Sequence, residues 1–87
     1  MKNIIWTQIA WDQYVEWQQT DKKIIKRIND LIKDISRNGL LQGIGKPEPL
    51  KNIKACSRII NDEHRLVYNQ DEKQNLIIYA CKGHYEE

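Results

Sequence analysis

The stretch from Thr20 to Gly39 constrains the fold most strongly. Within it, apolar residues recur at the spacing of one helical face: Ile24, Ile25, Ile28, Leu31, Ile32 and Ile35. Thr20 and Asp21 are residue types that cap helix N-termini, and Asn38-Gly39 is typical of a helix C-terminus. A helix with such a stripe is stable only when another element covers it. This stretch therefore predicts an amphipathic helix that lies against the rest of the chain.

The residues on either side of this helix predict what covers it. Residues 2–6 are short and apolar, as in a strand, and residues 8–19 carry apolar side chains at helical spacing. Three strand-like runs follow the helix, at residues 57–60, 63–69 and 76–82. Because short turns join these runs, they predict an antiparallel meander. The predicted fold is α+β in the order β-α-α-β-β-β, with a two-helix hairpin packed on one face of a mainly antiparallel sheet.

The composition is that of one small domain, residues 1–87. The net charge of +2 is too small to imply nucleic-acid binding on its own. No apolar run of membrane-spanning length and no signal peptide is present, so a cytoplasmic protein is expected. Cys56 and Cys81 are far apart without partners at metal-ligand spacing. We therefore expect two free, buried thiols, no metal and no cofactor.

Two charged residues in unusual settings suggest a catalytic site. Glu48 lies between Pro47 and Pro49 in a predicted loop from 39 to 50, where the prolines stiffen the backbone that presents it. It is either a preorganised base or an exposed glutamate in a stiff connector. Arg65 lies in an apolar strand and faces away from Leu66 and Tyr68, because successive strand residues alternate. It is either a solvated charge or a cation held on the open face of the sheet.

RNA cleavage is the chemistry that suits these residue types. The ribose 2′-OH is its own nucleophile, so a protein need supply a base, an acid and cations for the phosphate. Glu48 is the candidate base and His84 the candidate acid, since histidine titrates near neutrality. Tyr85 can stack on a nucleobase or pack at the rim of the domain. His64 is predicted to be structural, because it faces the opposite side of the strand from Arg65.

Three motifs in this chain resemble the YoeB/Txe toxins of the RelE superfamily. They are residues 45–51 (GKPEPLK), residues 62–68 (DEHRLVY) and the pair His84-Tyr85. The resemblance implies a toxin of a type II toxin–antitoxin pair that cuts mRNA in the ribosomal A site without a metal. It also implies silencing by a YefM/Axe-type antitoxin and binding of operator DNA only through the antitoxin complex. The oligomeric state stays open, with a homodimer among the options.

The resemblance also assigns roles to individual residues. It implies Glu48 as general base, His84 as general acid, Arg65 as the cation that stabilises the phosphate and Tyr85 as the aromatic near the substrate. Further positions match the substrate-binding neighbourhood of the family: Lys46, Lys51, Arg58 and Glu63.

One departure from the family pattern lies beside these residues. The family has a bulky aromatic followed by Ser-Arg-Arg-Ile, whereas this chain has Cys56-Ser57-Arg58-Ile59-Ile60, and the segment before Ser57 is shorter. Because adjacent strand residues face opposite ways, Arg58 cannot replace an arginine lost at position 59. The departure favours weakened activity.

The sequence leaves open two functions other than mRNA cleavage. One is a cleavage-impaired relative that acts by binding the antitoxin, the ribosome or, with antitoxin, operator DNA. The other is a gyrase inhibitor of the ParE type, which shares the fold. Glu48 and His84 disfavour the second, since a gyrase inhibitor has no use for an acid–base pair.

Overall fold

Two helices cover one face of a five-stranded sheet in the computed structural model, which describes residues 1–84. The elements follow in the order β1 Ile4–Trp6, α1 Gln8–Thr20, α2 Lys22–Asn38, β2 Glu48–Pro49, β3 Cys56–Ile59, β4 Arg65–Gln70 and β5 Leu76–Ala80. The predicted α+β fold with its helical hairpin is confirmed. One strand was not predicted: β2 lies within the segment expected to be a loop.

The strands are arranged in the order β1-β5-β4-β3-β2. The first strand pairs in parallel with the last, and the other neighbours are antiparallel. The unpredicted β2 is therefore an edge strand. Pro49 is tolerated there, because an edge strand can leave its missing N–H on the solvent side.

Helix α2 forms as its sequence predicts. The Asp21 side chain accepts hydrogen bonds from the backbone N–H groups of Lys23 and Ile24, at 3.0 and 3.3 Å. Gly39 ends the helix with φ +95°, a conformation that glycine adopts without a steric cost. The apolar stripe is buried at Ile24, Ile28, Leu31, Ile32 and Ile35. Full burial of each such side chain contributes about 1.5–3 kcal/mol, so this helix supplies much of the core.

The second face of the sheet is not wholly open. Leu50, Ala55 and Val67 form a small buried cluster there, with Ala80 packed against it. The segment between β2 and β3 folds back to make this cluster, and Leu50 N donates to Ala55 O at 2.9 Å. The cluster leaves the remainder of this face, next to β2 and the start of β4, for polar side chains.

Both cysteines are free and buried, as predicted. Burial raises the pKa of each thiol, that of Cys81 to about 12. Thiols in such surroundings are poor nucleophiles. Within residues 1–84, no helix is both long and apolar enough to cross a membrane.

Candidate active site

Strand register places four residues on the face of the sheet away from the helices. Residues directly opposite each other on antiparallel strands point to the same face. Ile59 is paired with Arg65, and Glu48 is paired with Ser57. Ser57 is also paired with Val67, and Val67 belongs to the small cluster on the face away from the helices. Glu48, Ser57, Ile59 and Arg65 therefore share the open face.

An ion pair joins two of the predicted site residues. Arg65 Nη1 lies 3.0 Å from Glu48 Oε1, and the Ser57 hydroxyl lies 3.4 Å from the same nitrogen. The Glu48 side chain is 55% exposed and that of Arg65 21% exposed. The pair therefore has solvent on one side, where a ligand can reach both the carboxylate and the guanidinium.

The segment carrying His84 lies against the same strand. The Arg65 backbone N–H donates to Gly83 O at 3.0 Å, so Arg65 contacts Glu48 with its side chain and the residue before His84 with its backbone. His84 is exposed and lines a shallow depression of about 130 Å³ together with Val67, Ala80, Lys82 and Gly83. Tyr85, the fourth predicted catalytic residue, lies outside the described residues.

The depression beside His84 has an apolar floor, which Val67 and Ala80 form. Lys82 and His84 also line it, but the Lys82 ammonium pairs with Glu16 of α1 and lies over the Trp17 ring. An apolar floor of this kind suits a planar, uncharged ring. A nucleobase has this chemistry.

Arg58 occupies the opposite face of the sheet. It is paired with the core residue Leu66, and its side chain is fully buried. Its Nε donates to the Tyr68 hydroxyl at 2.9 Å, and Nη1 lies 2.5 Å from Asp34 Oδ2. The remaining N–H groups donate to the carbonyl oxygens of Ile44, Gly39 and Gln42.

This placement does not fit the substrate-binding role predicted for Arg58. A guanidinium has five N–H donors, and here all of them are satisfied inside the protein. None is left for a phosphate. The helix face of the sheet is also covered, so a substrate cannot reach the group. Arg58 instead ties the loop between α2 and β2 to the sheet.

The other predicted substrate-binding residues lie on either side of Glu48 or in the turn before β4. Lys46 and Lys51 are exposed on the chain segments that enter and leave β2, and Lys46 has φ +50°. Glu63 is exposed in the turn, and its backbone N–H bonds to Asn61 Oδ1. Among residues 1–84, the Glu63 carboxylate makes no ion pair with Arg65, whose acidic partner is Glu48.

Sequence reasoning missed Ser57 and the way the His84 segment is held. Ser57 is fully buried beside Arg65, and strand alternation from Arg65 through its register partner could have identified it. Trp17 and His64 contact residues 81–83 through bonds that span long stretches of sequence, which no local pattern reveals. In the described part of the chain, no three His, Cys, Asp or Glu side chains are grouped to hold a metal ion.

Comparisons with known proteins agree on one family. Residues 6–85 match the family model described as "YoeB-like toxin of bacterial type II toxin-antitoxin system". Toxin YoeB of Escherichia coli strain K12 is 51% identical over 84 residues, which cover 94% of this chain and 98% of that protein.

Two solved structures from Staphylococcus aureus are similar to this chain along almost its full length. A YoeB dimer has a TM-score of 0.89 at 50% identity and a heterotetrameric YoeB–YefM toxin–antitoxin complex has 0.88 at 50%. In both, the match covers 95% of this chain and 97% of the other.

Proposed function

This chain belongs to the family of YoeB-like toxins of bacterial type II toxin–antitoxin systems, and we propose that it cuts mRNA in the ribosomal A site. The observation that carries the proposal is the partly exposed Arg65–Glu48 pair on the open face, with Gly83, the residue before His84, bonded to the backbone of Arg65. A base, a cation and an acid are the groups that cleavage of RNA by its own 2′-OH requires.

The proposed reaction is a transesterification. The Glu48 carboxylate takes the proton of the ribose 2′-OH, and the resulting oxygen attacks the adjacent phosphorus. The bond from phosphorus to the 5′-oxygen breaks, and His84 gives its proton to that oxygen. The products are a 2′,3′-cyclic phosphate and a free 5′-OH. Arg65 stabilises the negative charge that builds on the phosphate oxygens in the transition state.

The remaining site residues fit roles around this step. Lys46 and Lys51 lie before and after β2, where ammonium groups can bind the phosphates on each side of the scissile bond. Glu63 is proposed as a further substrate contact from the turn before β4, and Tyr85 as the aromatic that stacks on a base. The apolar floor of Val67 and Ala80 is a second surface for a base, next to His84.

Cleavage of a defined mRNA on programmed ribosomes tests this proposal. Glu48→Gln and His84→Gln should each abolish cuts in the A-site codon, because each removes a proton-transfer group with little change in size. Glu72→Gln is the matched control, since Glu72 is exposed in the turn between β4 and β5. Cuts that persist in Glu48→Gln would overturn the assignment of the base.

The second candidate is a cleavage-impaired member that acts by binding. The observation that favours it is Ile59, which stands opposite Arg65 on the open face, where the family pattern has an arginine. Arg58 cannot supply the missing cation, because its side chain is buried on the helix side. Folded protein that binds antitoxin but gives no cuts would support this candidate.

The proposed partners are a YefM/Axe-type antitoxin, the ribosome with its mRNA, and operator DNA through the antitoxin complex. The Staphylococcus aureus relatives are a YoeB–YefM complex and a YoeB dimer, which support an antitoxin and a second copy as partners of this cytoplasmic toxin. Saturating antitoxin should raise the melting temperature, since a ligand that binds the folded state stabilises it. Equal melting temperatures with and without antitoxin would contradict the partner assignment.

A further inference from the structure

The segment that carries His84 is held mainly by side chains from elsewhere in the chain. After β5 ends at Ala80, Cys81 N donates to Gln13 Oε1 at 2.7 Å and Cys81 O accepts from Trp17 Nε1 at 2.9 Å. Gly83 N then donates to His64 Nδ1 at 2.8 Å. These bonds fix the path of residues 81–83, and the last of them acts on the residue next to His84.

The imidazole of His64 is itself held in place. Its ring meets the Trp17 ring edge-on, with 4.8 Å between centroids and 73° between planes. Its backbone is bonded in the turn before β4, where its N–H donates to Asn61 Oδ1 and its carbonyl accepts from Ile60 N. A ring bonded at its backbone and packed on an indole presents Nδ1 in one direction.

The bond from Gly83 also defines the chemical form of His64. A nitrogen that accepts a hydrogen bond carries no proton, so this bond requires the tautomer of His64 with its proton on Nε2. Gly83 has φ +92°, where a residue with a side chain is strained. The chain therefore turns at Gly83, and the His64 bond fixes this turn immediately before His84.

From these contacts we infer that His64 is a positioning residue for His84: its Nδ1 holds the Gly83 N–H and thereby fixes the backbone from which His84 reaches the open face. The kinetic consequence rests on the proposed function, whereas the hydrogen bond and the tautomer do not. Loss of the acceptor would leave Gly83 with the bond from Arg65 N to its carbonyl but without the bond that holds its N–H, and the Arg65–Glu48 pair and the helix stripe would stay intact.

Two variants of His64 separate positioning from general structural support. Asn places an amide oxygen close to the position of Nδ1 and can still accept from Gly83, whereas Leu fills similar space without an acceptor. In the ribosome assay, His64→Leu should lower kcat about tenfold with KM unchanged, the effect of one lost hydrogen bond on a group used in the chemical step. His64→Asn should keep kcat within about threefold of the parent protein. Equal losses in both variants, or a loss confined to KM, would overturn the positioning role.

Nuclear magnetic resonance tests the contact itself, independently of cleavage. Long-range proton–nitrogen spectra should show the Nε2–H tautomer of His64, and the Gly83 amide should exchange slowly in the parent and in His64→Asn but at least tenfold faster in His64→Leu. A proton on Nδ1, or equal exchange of Gly83 in all three proteins, would overturn the inference. If no protein cuts mRNA while the Gly83 amide behaves as expected, the proposed function fails and the contact stands. Thermal unfolding of both variants verifies that each is folded before either measurement.

Discussion

Arg58 and Arg65 lie on neighbouring antiparallel strands, yet they differ in almost every physical respect. Arg58 is fully buried on the helix face, and all its N–H groups bond to Asp34, Tyr68 and loop carbonyls. Arg65 is partly exposed on the other face and pairs with one half-exposed carboxylate, Glu48. The difference comes from strand alternation: Arg58 is opposite Leu66 and Arg65 is opposite Ile59. An arginine that is buried and fully bonded maintains the fold, and one with solvent at its side can meet a substrate.

Replacing Arg58 with Met should produce the largest loss of stability. The change leaves the Asp34 carboxylate and three loop carbonyls without their buried donor, and breaking such a pair costs about 3–5 kcal/mol in the free energy of unfolding. Denaturant unfolding measures this quantity. Arg65→Met is the matched control and should cost about 1 kcal/mol or less, because the Glu48 side of this ion pair is open to solvent. Similar losses in the two variants would contradict the division of roles.

Replacing Arg65 with Gln should lower the cleavage rate strongly without abolishing it. Gln keeps a polar group on the open face but removes the positive charge, and the loss of one group that stabilises transition-state charge lowers the rate about 10²–10³-fold. The ribosome assay measures this rate, with melting temperature as a control for folding. A rate within about threefold of the parent protein would show that Arg65 is not the cation at the phosphate.

An arginine introduced at Ile59 tests the role of charge on the open face by adding a cation instead of removing one. Ile59 is half-buried opposite Arg65, so an arginine there adds a second cation to the open face. We expect the cleavage rate to rise about tenfold if the present site lacks one stabilising charge. Ile59→Gln is the neutral control and should give no rise. An increase of the same size with Gln would indicate a steric effect of Ile59 instead of a missing charge.

Acid should lower the stability that the Arg58–Asp34 ion pair contributes. The Arg58 guanidinium beside Asp34, helped by the Ile44 N–H and the Asn38 amide, holds the pKa of that carboxyl below its ordinary value. A carboxylate with a lowered folded-state pKa contributes stability above the unfolded pKa, about 4, and this is lost as the pH falls through the folded-state pKa.

The variant Asp34→Asn gives the measurement for this effect. It should melt below the parent protein at neutral pH, and the difference in melting temperature should shrink as the pH falls below about 4. The loss at neutral pH should be smaller than for Arg58→Met, because the amide oxygen can still accept from Arg58. A difference that stays constant down to pH 2 would show that ionisation of Asp34 does not contribute.

Most of the fold was predictable because its signals are periodic and local. The stripe from Ile24 to Ile35 and the Asp21 cap determined α2, and alternation along β4 put Arg65 opposite the core face. The strand β2 was not predictable, since two residues containing a proline carry no periodic pattern. Its pairing with β3 is decided by tertiary contacts, and this pairing brings Glu48 to Arg65.

The sequence indicated the residue types of the candidate site but not the groups that its charged side chains contact. Motif positions identified Glu48, Arg65 and His84, and alternation indicated that Arg58 and Ile59 face opposite ways. Sequence could not show that five separate groups use the N–H donors of Arg58, because three of them are loop carbonyls fixed only by folding. For the same reason the sequence could not show the contact of His64 with Gly83, whose backbone N–H lies 19 residues away in the chain.

The parallel pairing of β1 with β5 has a consequence for folding kinetics. Ile4 is aligned with Leu76, so this edge of the sheet joins segments from opposite ends of the sequence. Contacts of high sequence separation form late, because loop closure must be achieved before they give any stabilisation. By contrast, the hairpin of β3 and β4, which holds Arg65, is local and can form early. Cys81, which is bonded to Gln13 and Trp17 in α1, also depends on contacts of high sequence separation. The surroundings of His84 therefore combine contacts to nearby residues, His64 and Arg65, with contacts to a helix more than 60 residues earlier in the chain.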